Sequence, residues 1–164
     1  MGFKIRPIAL ADAASYRQCW DAVAKERRYL YWYEAPPLWE VRANLRRSLR
    51  KKTPMLVAVD GERVVGWAAV YRAGVPALSH GGDFLMFLLP EYRGKGLGTK
   101  LAAGVLKMSR GKFDMILFCV VRKNKPAREL GRKMGFELCG EEKKSVKLAY
   151  GFDDLLIMQK QIRR

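Results

Sequence analysis

The sequence predicts an α/β fold in which helices flank one mixed sheet. Apolar runs of strand length, such as residues 84–89, alternate along the chain with segments of helical spacing, such as Leu97, Leu101 and Val105. The predicted order of elements is β-α-α-β-β-β-α-β-α-β-β, with no internal repeat or linker. With 164 residues and 49% hydrophobic content, the chain is long enough for a single buried core. We therefore expect one domain over residues 1–164.

The first third of the chain predicts a strand and two helices. Alternating apolar residues indicate a strand within residues 3–10, and Asp12 is placed to cap a helix over residues 13–28. An aromatic loop, residues 29–37, ends in two prolines, which stop one helix and permit the next. The second helix is predicted over residues 38–50.

This second helix is strongly amphipathic. Four apolar residues share one side: Leu38, Val41, Leu45 and Leu49. Its other side, or the chain just beyond its end, holds six cations: Arg42, Arg46, Arg47, Arg50, Lys51 and Lys52. Packing on a sheet is the favoured interpretation, and contact with a membrane surface or nucleic acid is the alternative.

The rest of the chain predicts a hairpin, a central unit and three further strands. Residues 55–59 and 64–71 flank Asp60-Gly61-Glu62, which is a hairpin signal. After a loop over residues 73–82 comes the central strand. The remaining elements are a strand at 114–121, a helix at 125–134, and closing strands at 136–148 and 153–161.

The central stretch, residues 82–108, is interpreted as a strand, a glycine loop and a helix. The apolar run 84–89 ends at Pro90, which cannot continue a sheet ladder. Three glycines alternate in the loop: Gly94, Gly96 and Gly98. Glycine lets the backbone approach a ligand closely, and the unpaired N–H groups of a helix start attract anions. We therefore predict a phosphate-binding loop, surrounded by three cations: Arg93, Lys95 and Lys100.

Two common nucleotide motifs do not fit this loop. The dinucleotide pattern G-x-G-x-x-G needs a third glycine where Thr99 stands, and the strand near residues 115–121 lacks the acidic residue that holds a ribose. The triphosphate pattern G-x-x-x-x-G-K-[ST] fails because the Gly94-Lys95 pair is followed by Gly96.

The pattern R-x-x-G-x-G does fit, at Arg93, Gly96 and Gly98. It resembles the acetyl-CoA pyrophosphate loop of the GNAT superfamily of acyl-CoA N-acyltransferases. A second segment resembles the family's N-x-x-A-x-x-L segment ending in G-F, at these positions: Asn124, Ala127, Leu130 and Gly135-Phe136. Two motifs in register argue against a chance match, and the chain resembles a bacterial-type small N-acetyltransferase.

The resemblance implies both a fold and an activity. The fold would be a central, mostly antiparallel seven-stranded sheet with a splayed central strand pair, flanked by about four helices. The activity would be transfer of the acetyl group of acetyl-CoA to a primary amine by direct attack, without a metal. The implied cofactor-binding residues lie on the central strand, in the loop and at the second segment: Met86, Phe87, Leu88, Arg93, Gly94, Lys95, Gly96, Leu97, Gly98, Thr99 and Asn124.

The acid and base that many members use are absent. The resemblance places a glutamate and a tyrosine where this chain has Cys119 and Gly131. A packing role is favoured for Cys119, and Gly131 could leave room for the CoA sulfur. The candidate catalytic residues are therefore Asp83 and Glu34, with His80 ranked below them. The aromatic loop, where the family builds its acceptor site, supplies candidate substrate-binding residues: Tyr31, Tyr33 and Glu34.

Each of these candidates also has a structural explanation. Asp83 would serve as a turn residue, Glu34 as a solvated charge, and the tyrosines as the edge of the core. A non-catalytic domain that only binds acyl-CoA is therefore the alternative to an enzyme.

Composition adds expectations about partners and location. The net charge of +16 indicates either a solvated basic surface or weak attraction for nucleic acid, ribosomes or an acidic substrate. Three cysteines without metal-ligand spacing, and no signal segment, favour reduced thiols in the cytoplasm. No apolar run approaches the roughly 20 residues of a membrane span. A homodimer is common in the family.

Overall fold

The computed structural model describes residues 2–162, and its frame is one seven-stranded sheet with the order β1-β2-β3-β4-β5-β7-β6. The strands are β1 (Phe3–Pro7), β2 (Met55–Asp60), β3 (Arg63–Arg72), β4 (Gly81–Leu88), β5 (Met115–Val121), β6 (Glu137–Leu148) and β7 (Gly151–Gln161). The helices are α1 (Ala13–Ala24), α2 (Leu38–Arg50), α3 (Leu97–Ser109) and α4 (Lys125–Lys133). Every neighbouring strand pair is antiparallel except β4 and β5. The predicted element order and the mixed sheet are confirmed.

The first strand and first helix are shorter than predicted. β1 ends at Pro7, and a single 3-10 turn over Leu10–Asp12 leads into α1. Asp12 does not cap α1, because its carboxylate accepts hydrogen bonds from Arg6 at 2.7 and 2.8 Å and from the Ala9 N–H at 2.8 Å. The helix ends before Arg27, whose φ of 50° is left-handed and incompatible with a right-handed helix.

Helix α2 has the predicted bounds, and its buried side differs by one residue. Val41 and Leu45 are buried as expected, but the next buried position is Ser48, whereas Leu49 is 40% exposed. The step from 45 to 48 keeps the buried stripe on one side of a helix with 3.6 residues per turn. The six predicted cations are exposed. Within residues 2–162, no helix combines the length and apolarity needed to cross a membrane.

The sheet separates two apolar layers. On the side of α1, Tyr16 lies against Trp67 and Phe87, with ring centroids 5.5 and 6.0 Å away. On the opposite side, Phe84 contacts Phe118 at 5.0 Å between ring centroids. Because successive strand residues point to opposite faces, the two layers alternate along β4.

The central strand pair is splayed, as the resemblance implied. β4 and β5 run parallel and pair only over Gly81–Asp83 and Met115–Leu117. Beyond Asp83, β4 stays paired with β3 up to Leu88 but no longer with β5. The backbone edge of β4 that faces β5 is therefore open along half of the strand.

Candidate active site

The glycine loop forms an anion site at the start of α3. Gly94 and Gly96 have φ values of 72° and 77°, a region that costs other L-residues about 1–2 kcal/mol. The first hydrogen bond of the new helix runs from the Lys100 N–H to the Gly96 carbonyl at 3.2 Å. The four preceding N–H groups, those of residues 96–99, donate to no acceptor within residues 2–162. Four unpaired donors at the positive end of a helix dipole suit a phosphate group.

Arg93 holds this loop in place. Its guanidinium donates to both Glu26 carboxylate oxygens at 2.9 and 2.5 Å and to the Leu88 carbonyl at 3.0 and 2.8 Å. Its backbone N–H donates to the Pro90 carbonyl at 3.1 Å. The loop cations that form no ion pair with residues 2–162 are Lys95 and Lys100.

The three predicted β4 residues, Met86, Phe87 and Leu88, do not all point their backbone N–H groups toward the open edge. The Leu89 N–H donates to the Val65 carbonyl on β3, and backbone groups of an antiparallel strand alternate between its two neighbours. The N–H groups of Met86 and Leu88 therefore point toward the open edge, and those of Phe87 point toward β3. The splay thus exposes two of the three predicted residues to a bound chain.

Close approach of α3 to β4 joins the loop to that open edge. A Cβ atom on Gly98 would lie 3.3 Å from both Leu88 Cδ1 and Met86 Cε. Glycine at this position lets the first turn of α3 lie directly on the β4 side chains. The anion site and the open edge are consequently adjacent.

Asn124 lies just after the other splayed strand, β5. Its Oδ1 accepts a hydrogen bond from the Ala127 N–H at 3.2 Å, which caps α4, and its own N–H donates to the Val121 carbonyl. The side-chain NH₂ makes no hydrogen bond with residues 2–162. This group is the part of Asn124 available to a ligand in the cleft.

Asp83 marks the point where the two strands separate. It is the last β4 residue paired with β5. Its side chain is exposed, yet neighbouring atoms partly desolvate the carboxyl group and raise its pKa. Burial also raises the pKa of the Cys119 thiol, with smaller contributions from the negative charges of Asp83 and Glu142. The Tyr31 hydroxyl donates to the Cys119 carbonyl at 3.2 Å. Tyr31 thus contacts the backbone of β5 at Cys119, and the charges of Asp83 and Glu142 lie close enough to affect the Cys119 thiol.

The other predicted residues lie elsewhere. The Tyr33 hydroxyl donates to the Lys147 carbonyl at 2.7 Å, which ties it to the end of β6. Glu34 is exposed. His80 is also exposed, and it lines a cleft with Arg110, Asp114 and Lys160. Tyr31 and Asp83 thus each lie near Cys119, whereas Tyr33 is tied to β6, and no hydrogen bond or ion pair within residues 2–162 joins Glu34 or His80 to that position.

Gly131 does not leave the space that the sequence suggested. It is buried on α4, and a Cβ atom there would lie 3.1 Å from Met158 Sδ and 3.2 Å from Phe118 Cδ1. The position is therefore filled by the sheet, and a tyrosine would overpack it.

A cavity of about 660 Å³ opens on the α1–α2 side of the sheet. Its lining includes seven aromatic side chains: Tyr16, Trp20, Trp32, Trp67, Tyr71, Phe87 and Phe113. It extends to Leu85 and Met86, where β4 no longer pairs with β5. The cavity therefore reaches the splay from the side opposite α3. Sequence reasoning missed this cavity, although Trp67 within an otherwise small-residue strand and Trp32 in the aromatic loop are the signals that could have indicated it.

Comparisons with known proteins agree with this geometry. Residues 15–136 match the profile described as the acetyltransferase (GNAT) family. The structure is similar to an acetyltransferase of the GNAT family from Streptococcus pneumoniae, with a TM-score of 0.91, 20% identity, and coverage of 99% of this chain and 100% of that chain. A ribosomal-protein-alanine N-acetyltransferase from Brucella melitensis gives 0.88 at 24% identity, over 96% of this chain and 99% of that one.

A third similar structure was solved with a cofactor. It is a GNAT superfamily phosphinothricin acetyltransferase from Sinorhizobium meliloti in complex with acetyl-CoA. The TM-score is 0.90 at 22% identity, covering 99% of this chain and 89% of that chain. At these identities the structural likeness establishes the fold.

Proposed function

The chain belongs to the acetyltransferase (GNAT) family, and we propose that it transfers the acetyl group of acetyl-CoA to a primary amine by direct attack. One observation carries the proposal. Four N–H groups at the start of α3, unpaired within residues 2–162, lie beside a β4 edge that no other strand of these residues covers. The first feature suits a pyrophosphate and the second suits the pantetheine amides of the same molecule.

Acetyl-CoA, the acetyl donor, would lie along α3 and β4. Its pyrophosphate would accept from the N–H groups of residues 96–99, with Gly94 shaping the turn and Lys95 adding a charge at the surface. The pantetheine arm would then follow the open edge of β4 toward Asn124, whose side-chain NH₂ has no partner within residues 2–162. This order puts the thioester at the splay.

The reaction would run in the splay beside Met86, which is the outward-pointing predicted residue nearer to Asp83. The amine nitrogen attacks the thioester carbonyl carbon, and the oxyanion accepts a hydrogen bond from an outward-pointing β4 N–H. The C–S bond then breaks, the amide forms, and the CoA thiolate takes up a proton equivalent to the one lost by the amine. Asp83 is our candidate for the base, directly or through a water, because it lies at the splay and its raised pKa favours proton uptake.

Calorimetric titration with acetyl-CoA tests the donor site. S-acetylpantetheine, which has the thioester but no pyrophosphate, is the matched probe, and we expect it to bind far more weakly. Equal binding of the two compounds, or no binding of acetyl-CoA, contradicts the proposed donor site.

Release of free CoA in the presence of primary amines tests the transfer. A non-catalytic acyl-CoA-binding domain would bind acetyl-CoA and release no CoA with any amine. Amine-dependent release, together with recovery of the acetylated amine, separates the two functions.

A further inference from the structure

If the protein transfers acetyl groups as proposed, the cavity on the α1–α2 side indicates the chemical class of its acceptor. We propose that the acceptor is a primary amine with an oxyanion, such as a carboxylate, at the far end of an apolar body. The amine would lie against Met86 at the splay, and the oxyanion would lie among the cations of the cavity. Charge and wall chemistry each support this assignment.

The charged residues that line the cavity are all positive. They come from the end of α2, the end of β3 and the turn before β5: Arg47, Lys51, Lys52, Arg72 and Lys112. No aspartate or glutamate is among the lining residues, and none of the five forms an ion pair with a carboxylate of residues 2–162. An anion bound here would therefore meet uncompensated positive charge.

Two of these cations are held in place by neutral groups. Arg72 donates to the Lys112 carbonyl at 2.6 Å and also to the Ser79 carbonyl. The Lys112 ammonium donates to the Lys52 carbonyl at 2.8 Å. Carbonyl oxygens orient these two exposed side chains without cancelling their charge, so both add positive potential at this end of the cavity.

The walls between the cations and the splay are apolar and aromatic. Phe87 stacks with Tyr16 and Trp67 at 6.0 and 5.1 Å between ring centroids, and Trp32 meets the edge of Trp20 at 5.6 Å. Such walls favour an aromatic or alkyl body and give no ion-pair partner to a second ammonium group.

The five cations of the cavity would also favour the acetyl-transfer reaction. Nearby cations disfavour a protonated amine and lower its pKa, which increases the fraction of the neutral nucleophile. This effect matters in a chain that has Cys119 where many family members have a glutamate. A polyamine, by contrast, would be repelled by the five cations.

Three amines of one shape test the proposal: 4-(2-aminoethyl)benzoate, its neutral carboxamide analogue, and phenethylamine. We expect kcat/KM for the benzoate to exceed that for the other two by about tenfold or more, because a charged hydrogen-bonded contact is worth at least one factor of ten. The corresponding sulfonate should resemble the benzoate. Equal efficiency for all compounds, or preference for the uncharged ones, overturns the proposal and leaves acetyl transfer intact.

Paired variants on one helix locate the effect. Arg47→Gln with Lys51→Gln removes two charges from the cavity, whereas Arg46→Gln with Arg50→Gln removes two exposed charges of α2 that do not line it. The first pair should lower kcat/KM for the benzoate on the order of tenfold and change phenethylamine within about twofold; the second pair should change both within about twofold. Equal effects of the two pairs would assign the preference to general surface charge and overturn the proposal.

A binding measurement separates this proposal from the transfer reaction. 4-Ethylbenzoate has no amine and cannot be acetylated, and three of the four tryptophans line the cavity. We expect tryptophan fluorescence to report binding of 4-ethylbenzoate more tightly than 4-ethylbenzamide, with the difference lost in the Arg47 and Lys51 variant. If this difference in binding is seen but the protein acetylates no amine, the oxyanion site is supported and the proposed enzymatic activity is contradicted. If the two ligands bind equally well, the oxyanion site itself is contradicted.

Discussion

Arg93 and Glu26 form a two-point ion pair that connects the end of α1 to the loop before α3. Arg93 Nη1 and Nη2 lie 2.9 and 2.5 Å from the two Glu26 oxygens, and Nε and Nη2 of the same guanidinium donate to the Leu88 carbonyl. The pair is partly shielded, with the side chains 36% and 20% exposed. One planar side chain thus fixes the glycine loop against the end of β4, so that the donors of residues 96–99 keep their position relative to the open strand edge.

Glu26→Gln should loosen this arrangement. We expect affinity for acetyl-CoA to fall about three- to tenfold and the free energy of unfolding to fall by about 1–2 kcal/mol, since Arg93 loses its charge partner but remains half-solvated. Glu91→Gln is the control, because its pair with Arg63 is 3.3 Å long and both side chains are more than half exposed. Calorimetry and urea denaturation measure the two effects. Equal behaviour of the two variants would contradict the role assigned to Glu26.

Gly96→Ala tests the anion site with a strain-matched control. Gly96 and Gly61 both have left-handed φ values, 77° and 59°, and a Cβ atom at either meets no neighbour within 4 Å. Each change should therefore cost about 1–2 kcal/mol of stability through backbone strain alone. Only Gly96→Ala should also weaken acetyl-CoA binding, by about tenfold, because it shifts the donors at the start of α3. Unchanged affinity in Gly96→Ala would exclude the loop as the pyrophosphate site.

Much of the fold follows from local sequence signals. Helix α2 begins after Pro37 and shows a clear 3.6-residue period, and the β2–β3 hairpin turns at Gly61, so both were predicted nearly to the residue. The predicted strand at residues 84–89 begins earlier, at Gly81, because its first residues are held by pairing with β5 rather than by their own apolarity. Local signals fail where a partner distant in sequence decides the outcome.

The glycine loop and the aromatic cavity differ in the same way in how far the sequence predicts them. The glycine loop is a local feature, since its conformation depends on Gly94 and Gly96 themselves. The partner of Arg93 lies 67 residues away, and the aromatic cavity is assembled from α1, α2, β3 and β4. Neither can be deduced from spacing along the chain. The aromatic loop illustrates this limit of prediction from sequence: Trp32 lines the cavity, whereas its neighbour Tyr33 is hydrogen-bonded to β6.

Gly131→Tyr should not restore the acid that many family members have at this position. The side chain would start 3.1 Å from Met158 Sδ and 3.2 Å from Phe118, so overpacking should lower the free energy of unfolding by about 1–3 kcal/mol without raising kcat. Gly131→Ala should be less costly, because the gain in helix propensity of about 1 kcal/mol offsets part of the contact strain. A stable Gly131→Tyr protein with increased kcat would show that the sheet yields at this position.

Asp83→Asn tests the proposed base. We expect kcat to fall about 10²-fold or more, which is the lower range for loss of a general base, while affinity for acetyl-CoA stays unchanged. Glu34→Gln decides between the two acids suggested by the sequence: a comparable loss in that variant, with normal activity in Asp83→Asn, would move the role to Glu34.

The pH dependence gives Asp83 a separate signature. Partial desolvation raises the pKa of its carboxyl group. The base is therefore ionised, and kcat/KM should rise, only as the pH increases through a value above the usual Asp range of about 4. The effect on stability has the opposite direction. Because the folded state favours the protonated form, Asp83 is unfavourable at neutral pH, and Asp83→Asn should be as stable as wild type or more stable there. Wild type should then gain relative to Asp83→Asn as the pH falls through the raised pKa, until both folded and unfolded states are protonated. Urea denaturation at several pH values checks this difference, and a wild-type advantage that grows with rising pH would show that the carboxylate is stabilised in the folded state and is not poised to take up a proton.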